Sequence, residues 1–230
     1  MALELRKITF KFPTAEDNVF DDLSLKLSEP GFHALFGPSG VGKTTLARIL
    51  SGDIEADSGE VRNAHISPLL YSYNLERLPG WSSVGTHLEK IIQPRQKTKK
   101  DEIINDFGVA KCMASRFSQL SLGQQNRVNL ARYLLQDFEL LIMDESLANV
   151  DELTRGQIIL KIKKMFPQAY FLYISHNVIE VSKYCRHIFV LRSCAKNPQI
   201  IKVNGQDYQG VKDLRQEDLD KTMLEIMNAS

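Results

Sequence analysis

The sequence predicts an α/β fold with a mostly parallel central sheet, an antiparallel β edge and an inserted helical subdomain. Short apolar runs alternate with helical patterns through most of the 230 residues, which is typical of a parallel sheet with helices on both faces. Strand patterning fades between about residues 82 and 137, where helical spacing replaces it. A glycine-rich turn at residues 37–42 joins an apolar run to a helical pattern, a place where open α/β sheets bind ligands.

The composition is that of a globular protein and argues against several classes of function. Hydrophobic residues make up 43% of the chain and charged residues 25%, both ordinary values. The formal net charge is +1, so we expect no nucleic acid partner. No apolar stretch approaches the roughly 18 residues that span a bilayer, and the N-terminus has no signal-peptide layout. Any membrane-spanning part is therefore expected in another chain. The odd, scattered set of Cys112, Cys185 and Cys194 favours a reducing, cytoplasmic compartment.

The N-terminal part of the chain is predicted to form strands separated by turns and one helix. Strand segments show apolar alternation or short apolar runs, and Pro, Gly, Asp and Asn mark the turns. The predicted strands cover residues 3–12, 19–27, 32–36 and 65–71, with Val61 also strand-like, and the predicted turns cover residues 13–18, 29–31 and 57–60. The helix predicted here covers residues 44–50 and ends at residues 51–53.

The C-terminal part is predicted to alternate helices and strands again. A strong helical pattern covers residues 120–135, and the lysine-rich segment at residues 93–102 is interpreted as solvated. The later predicted strands cover residues 138–143, 169–174, 187–191 and 200–203, and the later helices cover residues 154–166, 178–184 and 211–227. We interpret residues 1–230 as a single domain, with a helical subdomain at about 82–137 and a C-terminal extension at about 195–230.

Residues 37–45 fit G-x-x-x-x-G-K-[ST], the pattern of a phosphate-binding loop, which makes the predicted fold that of a P-loop NTPase. The predicted phosphate-binding residues are Gly37, Pro38, Ser39, Gly40, Val41, Gly42, Lys43, Thr44 and Thr45. Glycines let consecutive N–H groups turn toward phosphate oxygens, and the positive end of the following helix adds to the attraction. In this pattern Lys43 reaches the β- and γ-phosphates, and the Thr44 hydroxyl ligates Mg²⁺.

Two carboxylates and a histidine follow predicted strands. Asp144 is the expected Mg²⁺ partner, and Glu145 is the expected general base that polarises an attacking water. An imidazole at His176 could hydrogen-bond the γ-phosphate or hold that water, although a lone histidine is more often structural. The other histidines are interpreted as structural or surface residues: His33, His65, His87 and His187.

Ser121 and Gln124 fit a capping box at the start of the long predicted helix. Capping of the helix is by itself enough to explain these two residues. The functional alternative is that Ser121 and the helix N-terminus present hydrogen-bond donors to a phosphate.

In order and spacing, these motifs resemble those of the ATP-binding subunits of ABC transporters, over nearly the whole chain. The matching segments are residues 37–45 for Walker A, 73–84 for the Q-loop region, 120–124 for the L-S-G-G-Q signature, 140–145 for Walker B, 146–151 for the D-loop and His176 for the switch histidine. Within the family, residues 73–84 look most like importers of the nitrate, sulfonate and taurine group.

The resemblance implies further contacts with ATP and Mg²⁺, and it also shows positions where this sequence differs from the family motifs. Phe12 stands where the family has an aromatic residue that stacks on adenine, and Asn74 stands where a glutamine reaches Mg²⁺ and water. ATP contacts are also implied for Ser121, Gly123, Gln124 and Asp151. The departures are Asn74 for glutamine, Leu122 for a signature glycine, Ser146 for proline and Asn177 for aspartate. They bear on coupling and turnover more than on ATP binding, so we expect an active ATPase.

The resemblance also implies partners and a place in the cell. Two copies would form a head-to-tail dimer around two ATP molecules, each with Mg²⁺, and dissociate after hydrolysis. The other expected partners are integral membrane permease subunits and, through them, a solute-binding protein. The chain would then lie on the cytoplasmic face of the cell membrane and power import. Trp81 and Val84 could form an apolar dent for a permease helix, or Trp81 could belong to the core.

Other functions stay open. One is a soluble ABC ATPase acting on nucleic acid or the ribosome, although such relatives carry coiled-coil insertions or two ATPase units. Another is a regulatory ATP binder that hydrolyses weakly. A P-loop kinase or GTPase is a further alternative, but the chain has no N-K-x-D guanine-reading motif.

Overall fold

Two β-sheets form the framework of the protein in this computed structural model, which describes residues 3–63, 67–74, 76–78, 80–211 and 214–230. The strands are β1 (Leu3–Phe10), β2 (Phe20–Leu27), β3 (Gly31–Phe36), β4 (Ser58–Asn63), β5 (Leu69–Tyr73), β6 (Leu140–Asp144), β7 (Tyr170–Ile174), β8 (His187–Leu191) and β9 (Ile200–Asn204). The helices are α1 (Lys43–Ser51), α2 (Val84–Ile91), α3 (Lys100–Asp106), α4 (Leu122–Leu134), α5 (Glu152–Met165), α6 (Val178–Tyr184) and α7 (Gln216–Ala229).

The larger sheet carries the site, and its strand order is β5-β6-β7-β3-β8-β9. Neighbouring strands run parallel from β5 to β8, and β9 is antiparallel to β8. In the register of β6 and β7, Asp144 pairs with Ile174, so the carboxyl ends of these strands lie side by side. The predicted mostly parallel sheet with an antiparallel edge is thereby confirmed.

The smaller sheet is antiparallel, with the order β2-β1-β4, and it corrects one prediction. Residues 57–60 are predicted as a turn, but Ser58 to Glu60 belong to β4. Gly59 has φ 96°, and a Cβ atom there would lie 2.4 Å from the carbonyl oxygen of Lys7. Glycine is required here because β4 passes an irregular part of β1 at close range, and not because the chain reverses.

Consecutive residues of β6 face two different hydrophobic cores, as the period of a strand requires. Leu140 and Ile142 pack in a core with the smaller sheet and α1. Leu141 and Met143 pack in a second core with helices that include α4 and α5. The strand that ends at Asp144 is therefore fixed from both sides.

The region expected to be helical contains α2, α3 and α4, joined by short 3₁₀ turns at Pro94–Lys99, Ala110–Cys112 and Phe117–Gln119. Just before it, Trp81 is 81% exposed, so the alternative that it is a core residue is wrong. Val84, in contrast, is 2% exposed and belongs to the core. Each helix among the described residues is too short or too polar to span a lipid bilayer.

The remaining boundaries differ little from the predictions. α7 begins at Gln216 instead of residue 211 and has two acidic residues, Glu217 and Asp218, in its first turn, where the helix dipole favours them. β5 ends at Tyr73, two residues beyond the predicted end. His65 and the start of the strand predicted over residues 65–71 lie outside the described residues.

Candidate functional site

A loop rich in glycine connects β3 to α1 at the carboxyl edge of the larger sheet. Gly37 has φ 155°, and a Cβ atom there would lie 2.4 Å from the carbonyl oxygen of Leu191 at the end of β8. Gly42 has φ 108° and precedes α1 directly. These two glycines allow the loop to turn closely around the start of the helix, whose first N–H groups have no partner within the helix.

Lys43 spans this loop with its ammonium group. Its Nζ atom donates to the carbonyl oxygens of Gly37 at 2.9 Å and Pro38 at 2.7 Å. Burial lowers the pKa of Lys43, while the charges of Glu145 and Asp144 act in the opposite direction. Because an ammonium has three donors, one N–H remains for an anion such as a phosphate oxygen.

Asp144 ends β6 and accepts two hydrogen bonds from hydroxyl groups. The Thr44 hydroxyl donates to Oδ2 at 2.8 Å, and the Tyr71 hydroxyl donates to the same oxygen at 2.9 Å. Burial raises the pKa of Asp144, and these two hydrogen bonds oppose that rise. Carboxylate and hydroxyl oxygens are hard ligands of the kind that Mg²⁺ prefers, so the donor set fits this cation.

Glu145 and His176 form a pair at the ends of β6 and β7. Glu145 Oε1 lies 2.6 Å from His176 Nε2. The Glu145 backbone has φ 50°, a left-handed conformation that costs a non-glycine residue about 1–3 kcal/mol. Its N–H donates to the carbonyl oxygen of Ile174 at 3.1 Å, which ties the turn to β7. A carboxylate held by an imidazole can accept a proton from water.

A cavity of about 540 Å³ brings several predicted residues together. Its lining residues are Thr44, Arg48, Asp53, Tyr71, Tyr73, Asn74, Asp144 and Glu145. Four lining residues are not among the predicted site residues: Arg48, Asp53, Tyr71 and Tyr73. Of these, Tyr71 donates a hydrogen bond to Asp144. Its signal is weak, since only the pairing of β5 with β6 brings it to Asp144.

Asn74 lies at the edge of this cavity, but its side-chain oxygen has other partners. Oδ1 accepts hydrogen bonds from Asn126 Nδ2 at 3.2 Å and Asn149 Nδ2 at 3.4 Å. Its backbone N–H donates to the carbonyl oxygen of Asp144 at 3.0 Å. Asn74 thus connects the end of β6 with α4 and with the segment that follows β6.

The start of α4 has the predicted capping box. Ser121 Oγ accepts from the Gln124 N–H at 3.3 Å, and Gln124 Oε1 accepts from the Ser121 N–H at 2.9 Å. A Cβ atom at Gly123 would lie 2.5 Å from the carbonyl oxygen of Asn149, so α4 and that segment approach closely. Ser121, Gly123 and Gln124 do not line the cavity that contains Asp144.

Phe12 and Asp151 also do not line that cavity. Phe12 is 40% exposed and packs edge-on against Phe10, with the ring centroids 4.9 Å apart. Asp151 caps α5 by accepting from the Thr154 N–H at 3.0 Å, and this bond lowers the pKa of Asp151.

Two of the departures from the family pattern, Ser146 and Asn177, have local hydrogen-bonding roles, and a third, Leu122, has none that the structure shows. Ser146 is buried, donates to the Ser72 carbonyl oxygen at 3.1 Å and shares a hydrogen bond with the Ser72 hydroxyl. Asn177 caps α6 by accepting from the Glu180 N–H at 3.1 Å. Leu122 is 51% exposed in the first turn of α4.

The sequence pattern of the ABC transporter family matches residues 20–148 of this chain. Among curated proteins, the molybdenum import ATP-binding protein ModC of Rhodopseudomonas palustris (strain BisB18) is 28% identical, over 81% of this chain and 54% of its own length. The glycine betaine uptake system ATP-binding protein YehX of Escherichia coli (strain K12) is 31% identical, over 74% of this chain and 62% of its own. The chain therefore spans little more than half the length of these curated relatives.

Solved structures share the fold. One is the dimeric, post-hydrolysis state of the ATP-binding cassette MJ0796 bound to ADP and Pi, with a TM-score of 0.73 and 20% sequence identity. The alignment covers 88% of this chain and 99% of the MJ0796 chain. A nucleotide-free cassette from an ABC transporter has the same TM-score and identity over 99% of both chains. At this level of identity the likeness establishes the fold alone.

Proposed function

Since this chain belongs to the ABC transporter family, whose pattern matches more than half of it, we propose that it binds and hydrolyses ATP to power solute transport through a membrane permease. One observation carries the proposal: Lys43, the Thr44–Asp144 pair and the Glu145–His176 pair all lie at one edge of the larger sheet.

Binding begins with the triphosphate on the loop between β3 and α1. The ammonium of Lys43 exchanges its contacts with loop carbonyls for phosphate oxygens, and the N-terminus of α1 adds N–H donors. Phe12 supports the adenine ring by stacking, for which its 40% exposure leaves room. Bound Mg²⁺, held by Thr44 and Asp144 with Asn74 nearby, would neutralise charge on the phosphate oxygens.

Hydrolysis uses the carboxylate of Glu145 as the general base. The oxygen of a water molecule attacks the γ-phosphorus, the bond to the leaving oxygen of ADP breaks, and a proton of the water passes to Glu145. His176 Nε2, 2.6 Å from Glu145 Oε1, holds this carboxylate in place, and in this proposal it also donates to the γ-phosphate. The products are ADP and inorganic phosphate.

Two copies assemble around the nucleotide in this proposal. The exposed N-terminus of α4, with Ser121, Gly123 and Gln124, faces the triphosphate held by the partner copy, and Asp151 lies in the same interface. ATP links the copies, and its hydrolysis lets them separate. Support comes from the position of these residues, which do not line the cavity of Asp144 in their own chain.

The proposed partner is a permease, and the proposed direction is import. The relatives are named for the import or uptake of molybdenum, glycine betaine and spermidine or putrescine, at 27–31% identity. These relatives transport different solutes but have similar sequence identity to this chain. They therefore support import as the direction of transport and do not identify the solute. Trp81, with its exposed indole, is a candidate contact for a permease helix on the cytoplasmic face of the membrane.

The first test measures phosphate release by the purified chain with ATP and Mg²⁺. We expect Glu145→Gln to lower the rate at least 100-fold, because the general base is lost, while ATP binding persists. The matched control is Glu139→Gln, which changes an exposed carboxylate next to the opposite end of β6. A Glu145→Gln variant that hydrolyses ATP at the parental rate would exclude Glu145 as the base.

A second test separates transport from the soluble alternatives. Affinity purification of the chain from membranes should recover an integral membrane protein with it. In the Glu145→Gln variant, ATP should stabilise this association. Recovery of ribosomes or nucleic acid in its place would favour a soluble ABC ATPase. Binding of ATP without turnover, alone and with the recovered membrane protein, would favour a regulatory role.

A further inference from the structure

Two hydroxyl groups bind the same oxygen of Asp144. Thr44 Oγ1 and the Tyr71 hydroxyl donate to Oδ2 at 2.8 and 2.9 Å. Among the described residues no hydrogen bond reaches Oδ1, and Asp144 lines the cavity of about 540 Å³. The carboxylate is therefore held through one oxygen while the other is left for a ligand.

The direction of these hydrogen bonds matters for a cation. A hydroxyl has one hydrogen and two lone pairs. Since the hydrogen of Thr44 points to Asp144, the lone pairs of its oxygen remain for a metal ion. Tyr71 supplies the second donor and thereby restricts rotation of the carboxylate about its bond to Cβ.

Tyr71 is itself well fixed. It lies in β5, where it pairs with Ile142 of β6, and its ring lies 5.7 Å from that of Tyr73. From this fixed position its hydroxyl donates to Asp144 Oδ2.

We propose that Tyr71 is a positioning residue that holds the Asp144 carboxylate ready for the divalent cation that accompanies the nucleotide. This inference rests on the proposed function, since it assumes that ATP and Mg²⁺ bind at this site. Tyr71 therefore affects the part of ATP affinity that depends on the cation, and it does not hold the triphosphate itself.

The test compares ATP affinity with and without the cation. ATP is titrated by calorimetry into the full chain carrying Glu145→Gln, with and without Tyr71→Phe, in excess Mg²⁺ and in EDTA. In Mg²⁺ we expect Tyr71→Phe to weaken ATP binding about tenfold, the effect of one lost charge-assisted hydrogen bond. In EDTA the dissociation constant should change less than about twofold, since the triphosphate contacts are untouched.

The matched control is Tyr73→Phe, which removes a hydroxyl from the same cavity. No hydrogen bond is described for that hydroxyl, so its loss should leave both dissociation constants unchanged. An equal loss of affinity in Mg²⁺ and in EDTA with Tyr71→Phe, or no loss in either, would overturn the proposal. An ATP affinity that does not respond to Mg²⁺ in the Glu145→Gln parent would do the same. Failure of that parent to bind ATP at all would instead overturn the proposed function.

Discussion

At the scale of single residues, His33 shows how burial fixes a charge state away from the candidate site. The side chain is fully buried in β3, with Nε2 3.0 Å from the Glu29 carbonyl oxygen and its ring stacked on His187. Burial lowers the pKa of His33 to about 4, and the nearby charges of His187 and Arg186 act in the same direction. The contact with Glu29 and the charge of Asp207 oppose the shift.

We therefore expect His33 to reduce stability in acid. The pKa is 6.5 in the unfolded chain and about 4 in the folded one, so between these values the unfolded state binds a proton that the folded state does not. The contribution of neutral His33 to the free energy of unfolding is fully present above pH 6.5. It is lost as the pH falls toward 4, and the total loss is about 3 kcal/mol. Urea unfolding from pH 7 to pH 4 measures it. His33→Phe should flatten this dependence, and an unchanged slope would contradict the assignment.

Residues that belong to a local motif could be predicted from the sequence, and residues that act through strand pairing could not. Lys43 and Thr44 follow a glycine pattern with fixed spacing, and Asp144 ends an apolar run. The contact of Tyr71 with Asp144 joins positions 73 residues apart. It depends on the parallel register of β5 and β6, which no local pattern indicates.

At the scale of elements, one face of α4 fastens the loop that follows β5. Asn129 Nδ2 donates to the Glu76 carbonyl oxygen at 2.8 Å. Arg132 pairs with the Glu76 carboxylate, and the Tyr133 hydroxyl donates to it at 2.8 Å. Because residues three and four apart share a helix face, these side chains reach the loop together. Glu76 and α4 are thus expected to move as one unit.

Glu76→Gln tests the strength of this attachment. The substitution removes the negative charge that pairs with the Arg132 guanidinium, in a place where both charged side chains are at most 15% exposed. We expect the free energy of unfolding to fall by about 2–3 kcal/mol, measured by urea unfolding. Glu89→Gln, which breaks an exposed ion pair with Lys100, should cost less than about 1 kcal/mol. Similar losses for both variants would contradict a special role for Glu76.

The element boundaries were predictable where local signals agree with the fold. Helix α6 and strand β8 have the predicted bounds because their patterns are short and clearly delimited. The segment at Gly59 was predicted wrongly because glycine usually marks a turn. Its role in β4 follows from the close passage over Lys7, which lies more than 50 residues away in the chain.

At the scale of the whole molecule, the N-terminus of α4 is exposed at Ser121 and Leu122 and does not line the cavity of Asp144. Its capping box already satisfies the first N–H groups in part, through Ser121 and Gln124. In the proposed dimer this helix end would complete the nucleotide site of the partner copy.

Ser121→Asp tests that arrangement without disturbing the helix. Aspartate caps helices as well as serine does, but its charge would repel the triphosphate of the partner copy. In the Glu145→Gln background we expect ATP to produce dimers in analytical ultracentrifugation, and we expect Ser121→Asp to abolish them. Ser118→Asp, at a nearby exposed position, is the control and should leave dimers intact. Dimers that persist with Ser121→Asp would place Ser121 outside the interface.

The two-sided packing of β6 has a genetic consequence. Ile142 and Met143 are adjacent in sequence, yet each supports a different core. A cavity made by shortening either side chain would loosen the strand from one side and displace the acidic pair at its end. Temperature-sensitive alleles should therefore arise at both positions, and a second-site suppressor of one should lie in a different layer from a suppressor of the other.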